Sequence, residues 1–273
     1  MKLFQARLEY VQRLAPGVFR WGLVARGLVR DASPGQFYMV RVGDGSDPLL
    51  RRPLALHRKG LRGEKRIRGD DAGEILFQVV GRGTRSLAKR VAGDVIDLFG
   101  PMGRGWRVPS GGKPVLVAGG IGVASLVCLG QEMPAGLRRK TVAFVGAKTK
   151  DALWCIGDLE GLGMKVLVSV EQGQGGFTGS VLDLLQVEWP ELSRLAPSLF
   201  VCGPAAMVKA VALWAEAEKA PFQASLESSM GCGTGVCLGC AVKARERPGY
   251  LRVCKEGPVF DAGEIDWGGL DVG

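Results

Sequence analysis

The chain has 273 residues, 47% of them hydrophobic, which is enough for two or three compact cores and excludes a disordered chain. Its net charge of +9 comes with 42 glycines and few aromatics, a composition suited to tight turns around bulky anionic groups as much as to nucleic acid. Seven cysteines, four of them within the last 42 residues, do not form the pattern of a disulfide scaffold and point to metal binding.

From Met1 onward the chain reads as short alternating runs at 3–11, 35–42, 75–80 and 95–99, broken at Pro34-Gly35, Gly43 to Gly45 and Gly100-Pro101, an all-β pattern that predicts a small barrel. Leu3, Ala6, Leu8 and Tyr10 mark the first run as a strand, with no charged region before an apolar one, so no secretory signal is expected. The longest uncharged apolar stretch, 115–130, is short for a bilayer span and carries four glycines, so the expected location is the cytoplasm.

Arg51, Arg52, Arg58, Lys59, Arg62, Lys65, Arg66 and Arg68 face one acid, Glu64. The segment 58–68 reads as a solvated loop, with a partner-docking patch as the sharper alternative. Within Arg51-Arg52-Pro53-Leu54-Ala55-Leu56, a guanidinium fixed beside a rigid proline suits bidentate capture of a pyrophosphate. Val80-Gly81-Arg82-Gly83-Thr84 then forms a glycine turn opening a helix at 85–91, whose first N–H groups suit a second phosphate contact.

Beyond Pro114 the texture changes to buried apolar runs at 115–118, 141–145, 165–170 and 199–202 between helical segments, which predicts a parallel α/β sheet. The clearest amphipathic helix spans 205–219. Val115 to Ala118 leads into Gly119, Gly120 and Gly122 and an apolar helix at 123–129, a turn able to receive a dinucleotide pyrophosphate although it departs from G-x-G-x-x-G. Cys202-Gly203-Pro204 ends a later strand at the same edge. Lys148 and Lys150 could meet a 2′-phosphate and Glu171 a ribose hydroxyl, so NADH and NADPH stay open at this point.

The last region carries Cys232, Cys237 and Cys240 in a C-x4-C-x2-C loop with Gly231, Gly233, Gly235 and Gly239, and Cys254 after thirteen intervening residues. That is the plant-type 2Fe-2S spacing, in which glycines let backbone N–H groups reach the sulfurs. Structural zinc usually takes two C-x2-4-C pairs and fits less well. Cys128 and Cys155 lie in apolar contexts and read as core residues.

Pro34-Gly35-Gln36-Phe37, Arg52-Pro53, Gly83-Thr84, Gly100-Pro101-Met102-Gly103, the glycine turn near 119 and Cys202-Gly203-Pro204 stand in the order found in ferredoxin reductase-like flavoproteins. With the cysteine motif, the chain resembles the electron transfer subunit of type B dihydroorotate dehydrogenase from about residue 3 to 262. The resemblance implies a multidomain β plus α/β protein: an N-terminal FAD-binding antiparallel β-barrel (1–106), a central parallel α/β NAD-binding domain (107–222) and a small C-terminal 2Fe-2S domain (223–273). It places FAD against Arg52, Pro53, Leu54, Ala55, Leu76, Phe77, Gln78, Gly83 and Thr84, where relatives usually carry Ser or Thr in place of Ala55. It favours NAD(H), held by Gly119, Gly120, Gly122, Cys202, Gly203 and Pro204, with Cys232, Cys237, Cys240 and Cys254 on the cluster.

No catalytic residue is assigned, since hydride transfer needs no protein proton donor, and His57 is expected to be a surface or packing residue. No (β/α)8 barrel fits in the remaining residues, so the implied partner is an FMN-containing dihydroorotate dehydrogenase catalytic subunit, in a heterotetramer of two copies of each, with neither nucleic acid nor membrane. The alternatives are the small subunit of an NADH-dependent ferredoxin:NADP oxidoreductase or of a sulfide dehydrogenase, and, from another class, a basic zinc module on nucleic acid.

Overall fold

The computed structural model describes residues 1–43, 45–63, 67, 69–108, 111–246 and 248–271. Six strands, β1 (Lys2–Ala15), β2 (Val18–Val24), β3 (Phe37–Val40), β4 (Arg52–Lys59), β5 (Ala72–Gln78) and β6 (Val95–Met102), close an antiparallel barrel in the order β1-β2-β5-β4-β3-β6. Because β6 bonds to both β1 and β3, the stretch ending at Pro101 and Met102 shuts the barrel. Alternation in β1 turns Phe4, Ala6 and Leu8 into the core and leaves Leu3 outside, 62% exposed, the opposite face from the one its apolar character suggests.

Two strands lie outside the expected runs. Arg20 interrupts the apolar pattern of β2, and Arg52, His57, Arg58 and Lys59 give β4 a loop-like composition. The solvated-loop expectation is therefore corrected at its start: Arg58 and Lys59 belong to β4, where Arg58 pairs with Asp158 at 3.0 Å and Lys59 with Glu132 at 3.3 Å. Glu64, Lys65, Arg66 and Arg68 lie outside the described residues. The helix α1 (Arg82–Leu87) begins three residues earlier than expected, so Gly83 and Thr84 fall in its first turn, and the Thr84 hydroxyl accepts from the Val80 and Gly81 amides.

The second layer system is a mainly parallel sheet of β7 (Lys113–Gly119), β8 (Val142–Ala147), β9 (Lys165–Val170), β10 (Phe177–Thr178), β11 (Pro197–Cys202) and β12 (Phe222–Ser225). Its helices are α2 (Val123–Glu132), α3 (Ala135–Arg138), α4 (Ile156–Gly161), α5 (Val181–Leu192) and α6 (Ala205–Ala217). Val115, Leu116, Val117 and Ala118 are buried on both faces, which is why β7 reads as an uninterrupted apolar run. Nothing in the apolar runs announced α5, but Ser180 and Asp183 form a reciprocal capping box, a signal present in the sequence.

The C-terminal segment adds the hairpin β13 (Ala241–Lys243) and β14 (Tyr250–Arg252), then β15 (Val259–Asp261), which joins the edge of the large sheet antiparallel to β12. The full order is β10-β9-β8-β7-β11-β12-β15. The acidic tail is tied down: Arg104 grips Glu264 and donates to the Val259 carbonyl at 2.7 Å, Arg107 pairs with Asp261, and Lys243 pairs with Asp266 at 2.8 Å.

The barrel and the α/β unit share a seam along β4 and α2. Gln131 accepts from the Lys59 amide at 2.9 Å and donates to its carbonyl at 2.7 Å, while Cys128 of α2 is packed into the barrel core. Among the described residues, no helix is long and apolar enough to cross a membrane.

Candidate functional site

A cavity of about 670 Å³ opens where the barrel, the start of α2 and the segment following β12 meet. From β4 it takes Arg52, Pro53, Leu54 and Ala55; from β5, Leu76, Phe77 and Gln78; from the turn and α1, Val80 and Thr84. The α/β unit contributes Ile121, Gly122, Ala124, Ser125 and Cys202, and the segment after β12 contributes Glu227, Ser228, Ser229 and Met230. Gly83 adjoins the lining, because the Arg52 guanidinium lies across its backbone.

Gly119, Gly120, Gly203 and Pro204 are not among the residues that line this cavity. The carboxyl ends of β7 and β11 are neighbours in the sheet at the point where strand order reverses, the usual crevice for a dinucleotide. Contact there is close: a Cβ on Gly203 would sit 2.9 Å from the Gly119 amide, and one on Gly122 would sit 2.5 Å from the Cys202 carbonyl. Sequence reasoning missed Glu227, Ser125 and Ser225. Burial and then the Glu227 charge push the Cys202 thiol up to about 12, against hydrogen bonds from Ser125 and Ser225, and Glu227 itself is exposed and faces the cavity. Lys148, Lys150 and Glu171 follow the ends of β8 and β9 and are exposed.

The cysteine loop runs on from the cavity wall. Met230 lines the cavity and Cys232 follows two residues later, a reach of at most about 7 Å of extended chain. The loop is seated on the barrel at Gly233, where a Cβ would stand 2.7 Å from Met39. Three amides aim at sulfur: Thr234 and Cys237 donate to Cys232 Sγ at 3.4 and 3.5 Å, and Cys254 donates to Cys240 Sγ at 3.5 Å. The thiols approach as two pairs. Hydrogen bonds from the Thr234 side chain and the Cys237 amide hold Cys232 down to about 5, whereas burial and then Cys240 push Cys254 up to about 12.

Two thiol pairs with backbone donors suit a two-iron centre, each pair facing one iron, better than a single tetrahedral ion. Cys237 is exposed, Cys232 intermediate, and Cys240 and Cys254 buried, so one side of the centre faces the outside. The cavity equally suits a flavin dinucleotide: an arginine and an α1 amide turn for phosphate, apolar walls for a ring system, and a second nucleotide turn opposite.

The profile of the iron-sulfur cluster binding domain of dihydroorotate dehydrogenase B matches residues 227–266. The dihydroorotate dehydrogenase B (NAD(+)) electron transfer subunit of Desulforamulus reducens is 37% identical over 272 residues, covering 97% of this chain and 99% of that protein. Its counterpart in Fusobacterium nucleatum subsp. nucleatum is 31% identical with the same coverage. Among solved structures, a chain of the NADH-dependent reduced ferredoxin-NADP oxidoreductase superposes with a TM-score of 0.81 at 26% identity, covering 97% of this chain and 90% of that one. A ferredoxin NADP+ reductase from Neisseria gonorrhoeae with bound FAD and NADP shares the fold at a TM-score of 0.65 and 16% identity, over 81% of this chain and 93% of that one.

Proposed function

The chain belongs to the family of the dihydroorotate dehydrogenase B electron transfer subunit, and we propose on that premise that it moves electrons between NAD(H) and an FMN-containing catalytic subunit through FAD and a 2Fe-2S cluster. It is thus an oxidoreductase subunit serving pyrimidine biosynthesis, with dihydroorotate itself handled on the partner. The observation that carries the reading is the continuity of one cavity with both a nucleotide turn and the cysteine loop. FAD supplies the conversion between a two-electron hydride and the single electrons a cluster accepts.

Everything else is placement by this chain. Arg52, laid over Gly83, offers its guanidinium to a pyrophosphate, with the α1 start and Thr84 beside it. Pro53, Leu54, Ala55, Leu76, Phe77 and Gln78 form the walls for the flavin. Ala55 offers no hydroxyl, so the wall there contributes shape alone. Gly119, Gly120 and Gly122 bring backbone amides to the pyrophosphate of NAD(H), and Cys202, Gly203 and Pro204 bring its nicotinamide to the flavin side of the crevice. Glu227, exposed to the cavity from the opposite wall, is a positioning residue for the bound nicotinamide. Cys232 and Cys237 would hold one iron, Cys240 and Cys254 the other.

The division into 1–106, 107–222 and 223–273 follows these roles, with β15 of the last unit completing the sheet of the second. The assembly is a heterotetramer of two copies of each subunit, in the cytoplasm. The test is a visible spectrum with iron and flavin quantitation on anaerobically purified protein, followed by dihydroorotate-dependent NAD reduction with the partner. One FAD, two irons and that activity are expected; a colourless protein would refute both cofactors. The structural likeness to the NADH-dependent ferredoxin-NADP oxidoreductase supports a second reading, in which the same relay serves a ferredoxin-linked partner and dihydroorotate supports no turnover.

A further inference from the structure

Behind the cavity wall, at the seam between barrel and α/β unit, lies a polar node that none of the roles above uses. Glu74 of β5 is fully buried and stands directly opposite Arg58 of β4 in the ladder. Its Oε1 accepts from the Arg62 amide, but its Oε2 has no hydrogen-bond partner. The Tyr10 hydroxyl hydrogen-bonds to the same carboxylate, and three other buried, unpartnered atoms surround Oε2: Arg20 Nε, Arg58 Nε and His57 Nε2. They stand 3.8, 3.7 and 3.9 Å from Glu74 Oε2, too far for direct hydrogen bonds and close enough to share one small molecule between them.

The donor count fixes what that molecule is. His57 Nδ1 lies 3.1 Å from the Ala124 carbonyl, which has no proton to give, so Nδ1 carries the hydrogen and Nε2 presents a lone pair. Both Arg Nε atoms are donors and Glu74 Oε2 is an acceptor. Two donors and two acceptors are the complement of a water molecule, which accepts from the two arginines and donates to Glu74 and His57.

A divalent cation is the rival. His57, Cys155 and Asp158 bring N, S and O atoms within 4.8 Å of one another. Yet Arg20 and Arg58 already bind Asp158 at 2.8 and 3.0 Å, with Arg62 on the same carboxylate, so a metal would enter among three guanidinium groups. Charge disfavours it; a neutral water costs nothing of that kind.

We propose that Arg20, His57, Arg58 and Glu74 enclose one structural water, and that His57, through its Nδ1 hydrogen bond to Ala124, holds the start of α2 against β4. Ala124, the residue His57 grips, lines the cavity beside Ile121, Gly122 and Ser125. The node therefore sets the nucleotide turn against the flavin wall, and His57 is a positioning residue acting through Ala124. This last role rests on the functional reading above; the water does not.

The test is a crystal structure of the holoprotein at about 1.5 Å or better, after chelator treatment, with anomalous data at the zinc edge. One peak within hydrogen-bond distance of all four atoms, without anomalous signal, is expected. Direct side-chain contacts with no peak, or an anomalous scatterer, overturn the proposal. His57→Gln retains an acceptor where Nε2 stands and His57→Asn retains only the donor to Ala124, so the peak should persist in the first and vanish in the second. With flavin content unchanged, His57→Gln, which lacks the donor to Ala124, should raise KM for NADH about tenfold with little change in kcat, and His57→Asn, which keeps that donor, should stay close to the parent. Equal KM values in all three forms would remove the positioning role while leaving the water to the diffraction data.

Discussion

Arg52 lies across Gly83: a Cβ at Gly83 would stand 2.2 Å from the Arg52 Nε and 2.6 Å from its guanidinium carbon. The contact explains why an arginine from β4 and a glycine from the first turn of α1 occur together. The obstructing atoms are the far end of a flexible side chain, so Gly83→Ala can fold by swinging Arg52 aside. We expect a melting temperature close to that of the parent and a flavin affinity lower by about tenfold to a hundredfold, the value of a charge-assisted contact. Titration of apoprotein with FAD, followed by fluorescence quenching, measures it. Unaltered affinity would mean that Arg52 does not touch the cofactor.

Cys254→Ser separates the two halves of the relay. Its thiol is buried beside Cys240 and remote in sequence from the exposed loop. Anaerobically purified variant should lose the cluster absorbance and its iron while keeping FAD, and NADH should still bleach the flavin in the isolated subunit. Turnover with the catalytic partner should fall below detection. Loss of flavin together with iron would show that the cysteine loop holds up the cavity wall at Met230 rather than acting beyond it.

The architecture was legible where chemistry and periodicity coincide. The apolar runs of β7, β8, β9 and β11 lay in the sequence because parallel strands bury both faces, and the cysteine spacing was legible because four thiolates must converge within one loop and one return. What stayed hidden was burial of charge. Arg20, His57, Arg58 and Glu74 look like surface residues one by one, and only the pairing of β2, β4 and β5 shows that they converge on one buried node at the seam. His57 is consequently a core residue, with no exposure. Glu227 was hidden for a related reason, since a carboxylate two residues beyond a strand end gives no sign that it faces a cavity.

That burial has a consequence in acid. Desolvation first, then the nearby Arg20 charge, depresses His57 from its ordinary 6.5 to about 4. Between those values the unfolded chain takes up a proton that the folded chain refuses, so acid favours unfolding. The contribution is fully present above pH 6.5 and is progressively lost as pH falls toward 4, to a total of about 3 kcal/mol. Urea unfolding at intervals from pH 7.5 to 4 should show this slope in the parent and its removal in His57→Gln. The same slope in both proteins would assign acid sensitivity to other groups.

The tightest approach to backbone in the proposed nucleotide crevice is Gly122 against Cys202. Here the atoms that a Cβ would meet are backbone, the Cys202 carbonyl oxygen at 2.5 Å and the Gly203 amide at 2.6 Å, so neither can rotate away. Gly122→Ala must push the turn off β11, and that displaces both the amides offered to the NAD(H) pyrophosphate and the wall shared with Cys202. Gly81 offers the contrast: its backbone is extended and nothing lies within 4 Å of an added Cβ. We expect Gly81→Ala to behave as the parent, and Gly122→Ala to keep its flavin and cluster spectra while KM for NADH rises by roughly a hundredfold, the scale of a misplacement near 1 Å. Stopped-flow reduction of the bound flavin by NADH distinguishes the two variants directly. A normal reduction rate in Gly122→Ala would place the dinucleotide away from this turn.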